Sequence, residues 1–176
     1  MSIKNDVLEV IKKRRSIRKF KPEQIKKDEL EAVLEAGTFA PTGGGAQSPV
    51  IVAVQNPAAI AELVKMNAAI LGSSGNPYYG APTIVLALAS PKARATYVED
   101  ASCVLQNMML AAHAIGLGSC WIHREKEMFS SAEGKALLKQ WGISEEFVGV
   151  GSIALGYPDC EFPAAAKRKD GYIVKV

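Results

Sequence analysis

Cysteine and histidine are scarce in this chain. Its 176 residues include three cysteines, Cys103, Cys120 and Cys160, and two histidines, His113 and His123. An odd cysteine number without a CxxC pair excludes a disulfide framework, and two lone histidines do not make a zinc site, so reduced thiols in a reducing compartment are expected. No apolar run approaches the roughly 18 residues of a membrane span. The opening Met1-Ser2-Ile3-Lys4-Asn5-Asp6 also lacks the apolar stretch of a signal peptide, so a cytoplasmic protein without a membrane partner is expected. Internal repeats, low-complexity tracts and linkers are missing too, which predicts a single domain over 1–176. With 48% apolar and 22% charged residues the composition is that of a folded globular chain. A chain of this length buries about 70% of its unfolded surface.

Nucleotide and hydrolase signatures also fail. Gly116-Leu117-Gly118 lacks the third glycine of the dinucleotide fingerprint and follows a helix pattern where a strand is required. No Gly-Lys-Ser/Thr triplet forms a phosphate loop, and no GxSxG spacing presents a nucleophilic serine. His113 sits inside an apolar helix pattern and reads as a packed core residue.

Charge is concentrated at one end. Net charge is +3, yet ten of the 21 basic residues fall between Lys4 and Lys27, against Asp6, Glu9 and Glu23. Val7, Leu8, Ile11, Ile17 and Phe20 interleave this stretch, which argues for folded structure and against a nucleic-acid arm. Within it, Arg14-Arg15-Ser16-x-Arg18 gathers guanidinium forks and a hydroxyl that can hold a phosphate by charge-assisted bonds. Taken alone, the cluster reads more readily as a solvated basic surface.

Periodicity places these residues on an α+β framework. Asn5 or Asp6 caps a helix ending near Arg14, with Val7, Leu8 and Ile11 on its apolar face. Asp28 with Glu31 makes a capping box for a second helix that carries Leu30, Val33 and Leu34 and stops at Gly37. The loop Pro41 to Pro49 leads to a strand, Val50 to Val54, whose continuous apolar run predicts cover on both faces. Asn56 and Pro57 open a third helix reaching Ile70. Gly72 to Gly80, with Tyr78 and Tyr79, reads as a mobile flap before a buried strand, Ile84 to Ala89. The helix Tyr97 to Ile115 is apolar almost all round and predicted buried on every side. A strand at Ser119–His123, a polar helix at Ser131–Gln140 and a strand at Val148–Leu155 complete four strands and five helices. The tail from Asp159 has too few apolar residues for its own core and is expected to lie over the body or over a partner subunit.

Four segments in this order carry a resemblance: Arg14-Arg15-Ser16-Ile17-Arg18-Lys19-Phe20, Ala40 to Pro49, Gln106 to Trp121, and Gly151 to Pro158. Together they resemble the FMN-dependent nitroreductase family over nearly the whole chain. The resemblance implies an α+β fold with a central mixed β-sheet flanked by helices, an intertwined homodimer, and tightly bound FMN at the dimer interface. It also implies hydride transfer from NADH or NADPH through flavin to a nitroaromatic, quinone or similar small acceptor by a ping-pong mechanism. By the same resemblance Arg14, Arg15 and Ser16 hold the FMN phosphate and ribityl chain, and Arg18 lies near the flavin N1 and O2 edge. Pro41, Thr42, Gly43 and Gln47 reach FMN from the other subunit. Trp121, Ile122 and His123 pass close to the ring, with core packing as the other reading of Trp121. Asn67 bonds the pyrimidine edge, and Arg168, beside Lys167 and Lys169, closes on the phosphate. Gly45 stands where many relatives have asparagine, and Ser48 or Val50 where they have tryptophan. A flavin-binding sensor without turnover, or a dehalogenating or flavin-cleaving relative, fits the same motifs.

Overall fold

The computed structural model describes residues 3–176. Asn5 starts α1 (Asp6–Lys13) by accepting the N–H of Val7 at 2.9 Å and of Leu8 at 3.4 Å. A side-chain oxygen there satisfies donors that have no partner within the helix. Asn56 does the same for α3 (Pro57–Leu71), whose Pro57 sits at the first turn and whose last turn closes on Gly72 at φ 69°. At α2 (Lys27–Thr38) the structure corrects the expected cap. The cap lies two residues earlier, at Lys26 where Asp28 was expected, and the Lys26 N–H donates to Glu29 Oε2 at 2.9 Å, so Glu29 takes the role expected of Glu31.

Four strands form one sheet in the order β1 (Val50–Val54), β2 (Thr83–Ala89), β4 (Val148–Gly156), β3 (Gly118–Ile122), every ladder antiparallel. The parallel pairing that makes the sheet mixed is a bridge between Ser16 and Ser119 at the β3 edge. Side chains alternate along β2. Val85, Ala87 and Ala89 pack with α2 and with Val104, Leu105 and Met108 of α4 (Tyr97–Ala114). Ile84, Leu86 and Leu88 face the other layer, built from Leu63 of α3, Met128 and Phe129 of α5 (Glu125–Ser130), and Leu137 and Leu138 of α6 (Ala132–Gln140). Helices therefore cover both faces, and no helix among the described residues is long and apolar enough to cross a membrane.

Three further expectations change. The short helix α5 adds a sixth to the five expected; of its buried residues Glu125, Met128 and Phe129 only the last two are apolar, too few for a visible period. β1 is an edge strand that is half-buried with Ala53 exposed, because its apolar run has a neighbour on one side only. α4 buries Ala101, Val104, Leu105, Met108, Met109 and Ala112 but exposes Val98 and leaves Cys103, Leu110 and Ala111 half-buried, so one flank of its apolar surface is open. The apolar face of α1 is open as well, with Val7 64%, Leu8 38% and Ile11 49% exposed. The tail after Asp159 runs exposed, carrying Tyr172, Ile173 and Val174 into solvent.

Candidate active site

Ile17 explains how the basic segment is positioned. It is a buried peg whose N–H donates to the Ser119 carbonyl at 2.9 Å, pinning an extended stretch to the edge of β3. Farther along, Lys21 N–H donates to Tyr157 O at 2.9 Å and Asp159 N–H to Lys19 O at 3.0 Å, fixing the same stretch to the exit of β4. In extended backbone the neighbours of a buried residue point the other way, so Ser16 and Arg18 share the side opposite Ile17. Arg18 lies with its guanidinium 5.9 Å from the centre of the Tyr79 ring.

Arg14 and Arg15 are half-buried at the end of α1. Arg15 Nη1 donates to Lys12 O at 2.7 Å and Arg14 O at 2.6 Å, while Arg14 Nη1 and Arg15 Nε are enclosed without a partner. Burial, then the charge of Arg15, pulls the Arg14 pKa down. His113, at the C-terminal end of α4, is drawn in as well. Burial and then the charges of Arg14, Arg15 and Lys13 lower its pKa, and its Nδ1 has no partner. This corrects its reading as core: the ring is half-buried against the basic segment and stacked edge-on with Phe162 of the tail, 4.9 Å between centroids. Ser119 Oγ, beside the Ser16 bridge, is a fourth enclosed polar atom without a partner. Each such atom costs about 1–3 kcal/mol if nothing meets it. Four of them on adjoining segments, with two fixed cations, suit an oxyanion such as a phosphate.

The Gly-rich loop lies elsewhere. Gly43 N–H donates to Asp100 Oδ1 at 2.9 Å, and Thr96 Oγ1 donates to Asp100 Oδ2 at 3.2 Å. A Cβ on Gly43 would collide with Thr96 Oγ1, so the backbone can approach only as glycine. Gln47 N–H donates to Thr42 Oγ1 at 2.9 Å, leaving the exposed Gln47 side chain free, and Pro41 is exposed. Thr42 and Gln47 line a cleft with Ala40, Pro49, Ile51 and Val104. Asp100 and His113 stand at opposite ends of α4, about 20 Å apart along its axis. Within one chain the loop and the basic segment do not meet.

Beyond Cys120, β3 carries Trp121, half-buried, and ends at buried Ile122. The strand thus runs one residue earlier than the expected Ser119–His123, and the exposed His123 lies in the turn that follows. A Cβ on Gly151 would lie 2.7 Å from Trp121 Cζ2, so the indole packs directly against the β4 backbone there. Asn67 is fully buried and spent within the chain: Nδ2 donates to His123 O at 2.9 Å, and Oδ1 accepts from Arg124 Nε at 2.8 Å. Arg168 is on the exposed tail and turns Nη2 onto the Ala166 carbonyl at 2.8 Å. The flap is only partly free, since Tyr78 is fully buried and Tyr79 exposed.

Several residues of this region had no motif to announce them. Tyr79 and Arg124 hold φ of 56° and 90°, and with Gln47 at 50° they are the non-glycine residues at positive φ among those described. They fall in the flap, the turn after β3 and the Gly-rich loop, and backbone strain of this kind gathers at functional sites. Glu125 is buried beneath Arg124. Burial drives its pKa up to about 7, against the hydrogen bond from Ser152, its own backbone N–H, the Tyr78 hydroxyl and the Arg124 charge. The folded state therefore holds this proton more tightly than the unfolded chain. Stability should fall as pH rises from about 4.5 to about 7. The loss attributable to this group is roughly 3 kcal/mol, at 1.36 kcal/mol per pKa unit. Urea unfolding at a series of pH values should show that slope in the wild type and its absence in Glu125→Gln; parallel curves would refute it.

Sequence and structure comparisons agree with this architecture. Residues 11–157 match the family model described as Nitroreductase family. An Archaeoglobus fulgidus protein whose name assigns it as an NADH dehydrogenase/NAD(P)H nitroreductase is 32% identical over 163 residues, covering 89% of this chain and 87% of that protein. The crystal structure of a nitroreductase with bound FMN from Bacteroides fragilis superposes with a TM-score of 0.90 at 34% identity, over 98% of this chain and 100% of that one. A nitroreductase with bound FMN from Desulfitobacterium hafniense gives a TM-score of 0.88 at 26% identity, over 99% of this chain and 100% of that one. With a match that runs from the end of α1 to the turn after β4, the chain belongs to the nitroreductase family.

Proposed function

We propose that this protein is an FMN-dependent oxidoreductase, acting as a homodimer, that takes reducing equivalents from NADH or NADPH and delivers them to a nitroaromatic, quinone or similar small acceptor. The observation that carries the reading is the group of enclosed, unpartnered polar atoms on Arg14, Arg15, His113 and Ser119. These fit the phosphate end of FMN. When bound, FMN supplies the two-electron couple that accepts hydride from the nicotinamide and passes it on.

The chain's own residues bind and polarise. Arg14 and Arg15 would take the phosphate, with Ser16 offering a hydroxyl beside it. Arg18 would place a fixed cation at the ring edge that gains negative charge on reduction, so its stabilisation is larger in the reduced state. Trp121, Ile122 and His123 would border the ring. Pro41, Thr42, Gly43 and Gln47 would arrive from a second copy, because in their own chain they sit at the far end of α4. Asn67 acts behind this surface, holding the His123 carbonyl and the Arg124 guanidinium, and we assign it positioning in place of direct flavin contact. Arg168 would reach a phosphate only after leaving Ala166, an ordering that the second copy would supply. Reductant and acceptor would use one open ring face in turn, giving ping-pong kinetics.

The purified protein, supplied with FMN, should show flavin absorption with FMN as the acid-released species, and should oxidise NADH or NADPH steadily with menadione or a nitrofuran. Absence of FMN uptake would refute the reading. Uptake without turnover would favour a flavin-binding sensor.

A further inference from the structure

The turn after β3 and the flap are joined by one buried polar network. Tyr78 hydroxyl donates to Glu125 Oε1 at 3.3 Å, and Ser152 Oγ donates to the same oxygen. Asn67 Nδ2 reaches Tyr78 Oη at 3.3 Å as well as the His123 carbonyl at 2.9 Å, and its Oδ1 holds Arg124 Nε at 2.8 Å. Glu125 Oε2 is enclosed and has no partner. β4 leaves room for this side chain through Gly149, where a Cβ would lie 2.5 Å from Glu125 Cβ. The two ends of the network are Tyr78 and Arg124. Tyr78 is followed by the strained Tyr79, which lies over Arg18, and Arg124 is itself strained.

The carboxyl is unevenly served. Both hydroxyl donors sit on Oε1, and Oε2 is bare. With a proton on Oε2 the group is neutral and the arrangement is tolerable. Without it, the carboxylate is buried with Oε2 unpartnered, a state that costs far more. The cation within reach of its field is Arg124, whose guanidinium is engaged by Asn67. Losing the proton therefore sets Glu125 in competition with Asn67 for Arg124. Other charged groups do not relieve it. β4 brings Ser152 and no ionisable side chain. Glu62 and Lys65 of α3, Glu127 of α5 and Glu133 of α6 line an open solvent-facing groove.

We propose that Glu125 is a proton-linked positioning residue: by exchanging one proton between Oε2 and solvent, it sets where Arg124 and the His123 carbonyl stand, and through Tyr78 it holds Tyr79 over Arg18. This rests on the reading that His123, Arg124 and Tyr79 wall the flavin and its substrates. Burial of the carboxyl puts its change of state near neutral pH, where a modest shift in pH moves the balance between the two forms.

The FMN-loaded enzyme tests this through the pH dependence of its bound-flavin absorption and of KM for the nicotinamide reductant. A one-proton transition near neutrality is expected in the wild type. Glu125→Gln should keep the low-pH values throughout, since the amide mimics the neutral acid. Ser152→Ala, which removes a hydroxyl that favours the ionised form, should move the midpoint upward. Infrared difference spectra across a pH jump read the group without flavin, and a protonated-carboxyl band should appear on acidification in the wild type and be missing in Glu125→Gln. A transition unchanged in Glu125→Gln, or no titrating carboxyl band, overturns the proposal. Failure to take up FMN with the infrared band intact would overturn the parent reading alone, leaving the proton on Glu125 established.

Discussion

Replacing Ile11 by aspartate is expected to leave a folded monomer that no longer retains FMN. The apolar face of α1 has nothing to cover it among the described residues: Val7, Leu8 and Ile11 are 64%, 38% and 49% exposed. Val98 of α4, Ile115 just after it and Phe39 after α2 expose apolar surface too. A helix whose apolar stripe meets water is an unfinished interface, and the basic segment that follows it lacks the loop supplied by a second copy. Because Ile11 is half-exposed within its own chain, a carboxylate there can turn to solvent and should spare the fold. Inside a subunit contact the same carboxylate is buried without a partner, which costs about 3–5 kcal/mol by the measure of broken buried pairs. That weakens association by roughly a hundredfold to a few thousandfold. Sedimentation velocity with detection at the flavin wavelengths reads both consequences. A dimer of wild-type strength would refute the role of α1, and a monomer holding FMN with undiminished affinity would refute the shared site.

The second large effect separates two arginines that differ by four positions. Arg14→Ala should weaken FMN binding by about 10- to 150-fold, which corresponds to the 1.5–3 kcal/mol of a hydrogen bond to a charged group. It should leave the flavin potential almost unchanged, because a phosphate carries the same charge in both redox states. Arg18→Gln should bind FMN with a smaller loss and lower the potential. A loss of about 1.4 kcal/mol of preference for the reduced state shifts a two-electron couple by about 30 mV. The distinction follows from where the side chains sit. Arg14 is half-buried with an enclosed, unpartnered Nη1, and Arg18 is exposed over the Tyr79 ring. Titration with FMN and dye-equilibrated potentiometry on both variants decide it. Equal potential shifts would refute the placement of Arg18 at the ring.

The elements with local punctuation were legible from sequence. Asn56-Pro57 and Gly72 bracket α3 by capping chemistry, and Ile84 to Ala89 reads as a buried strand because both of its faces are apolar. The cluster Arg14 to Arg18 and the loop around Gly43 were legible as motifs. Tertiary placement was not. Asn67 reads as a ligand-facing amide, yet it is consumed by Arg124 and His123, residues more than fifty positions away. His113 reads as core because its helix neighbours are apolar, and only the fold brings Arg14 and Arg15 against it. Glu125 lies in a short polar run, and nothing in Glu125-Lys126-Glu127 says which carboxylate is buried. Gly149, Ser152 and Tyr78 decide that from two other segments.

Completion of the site across two copies is tested most directly by complementation. One variant carries Arg14→Ala and Arg15→Ala, the other Thr42→Ala and Gln47→Ala, and each alone should bind little FMN. Unfolded together and refolded, the two form mixed dimers. In a shared arrangement both lesions fall on one site, and the other is assembled from intact segments of both chains. The account predicts that FMN binding, read from flavin absorbance, reappears at one site per mixed dimer. If each site were built within one chain, every site would carry a lesion, and the mixture would bind no more FMN than the separate variants.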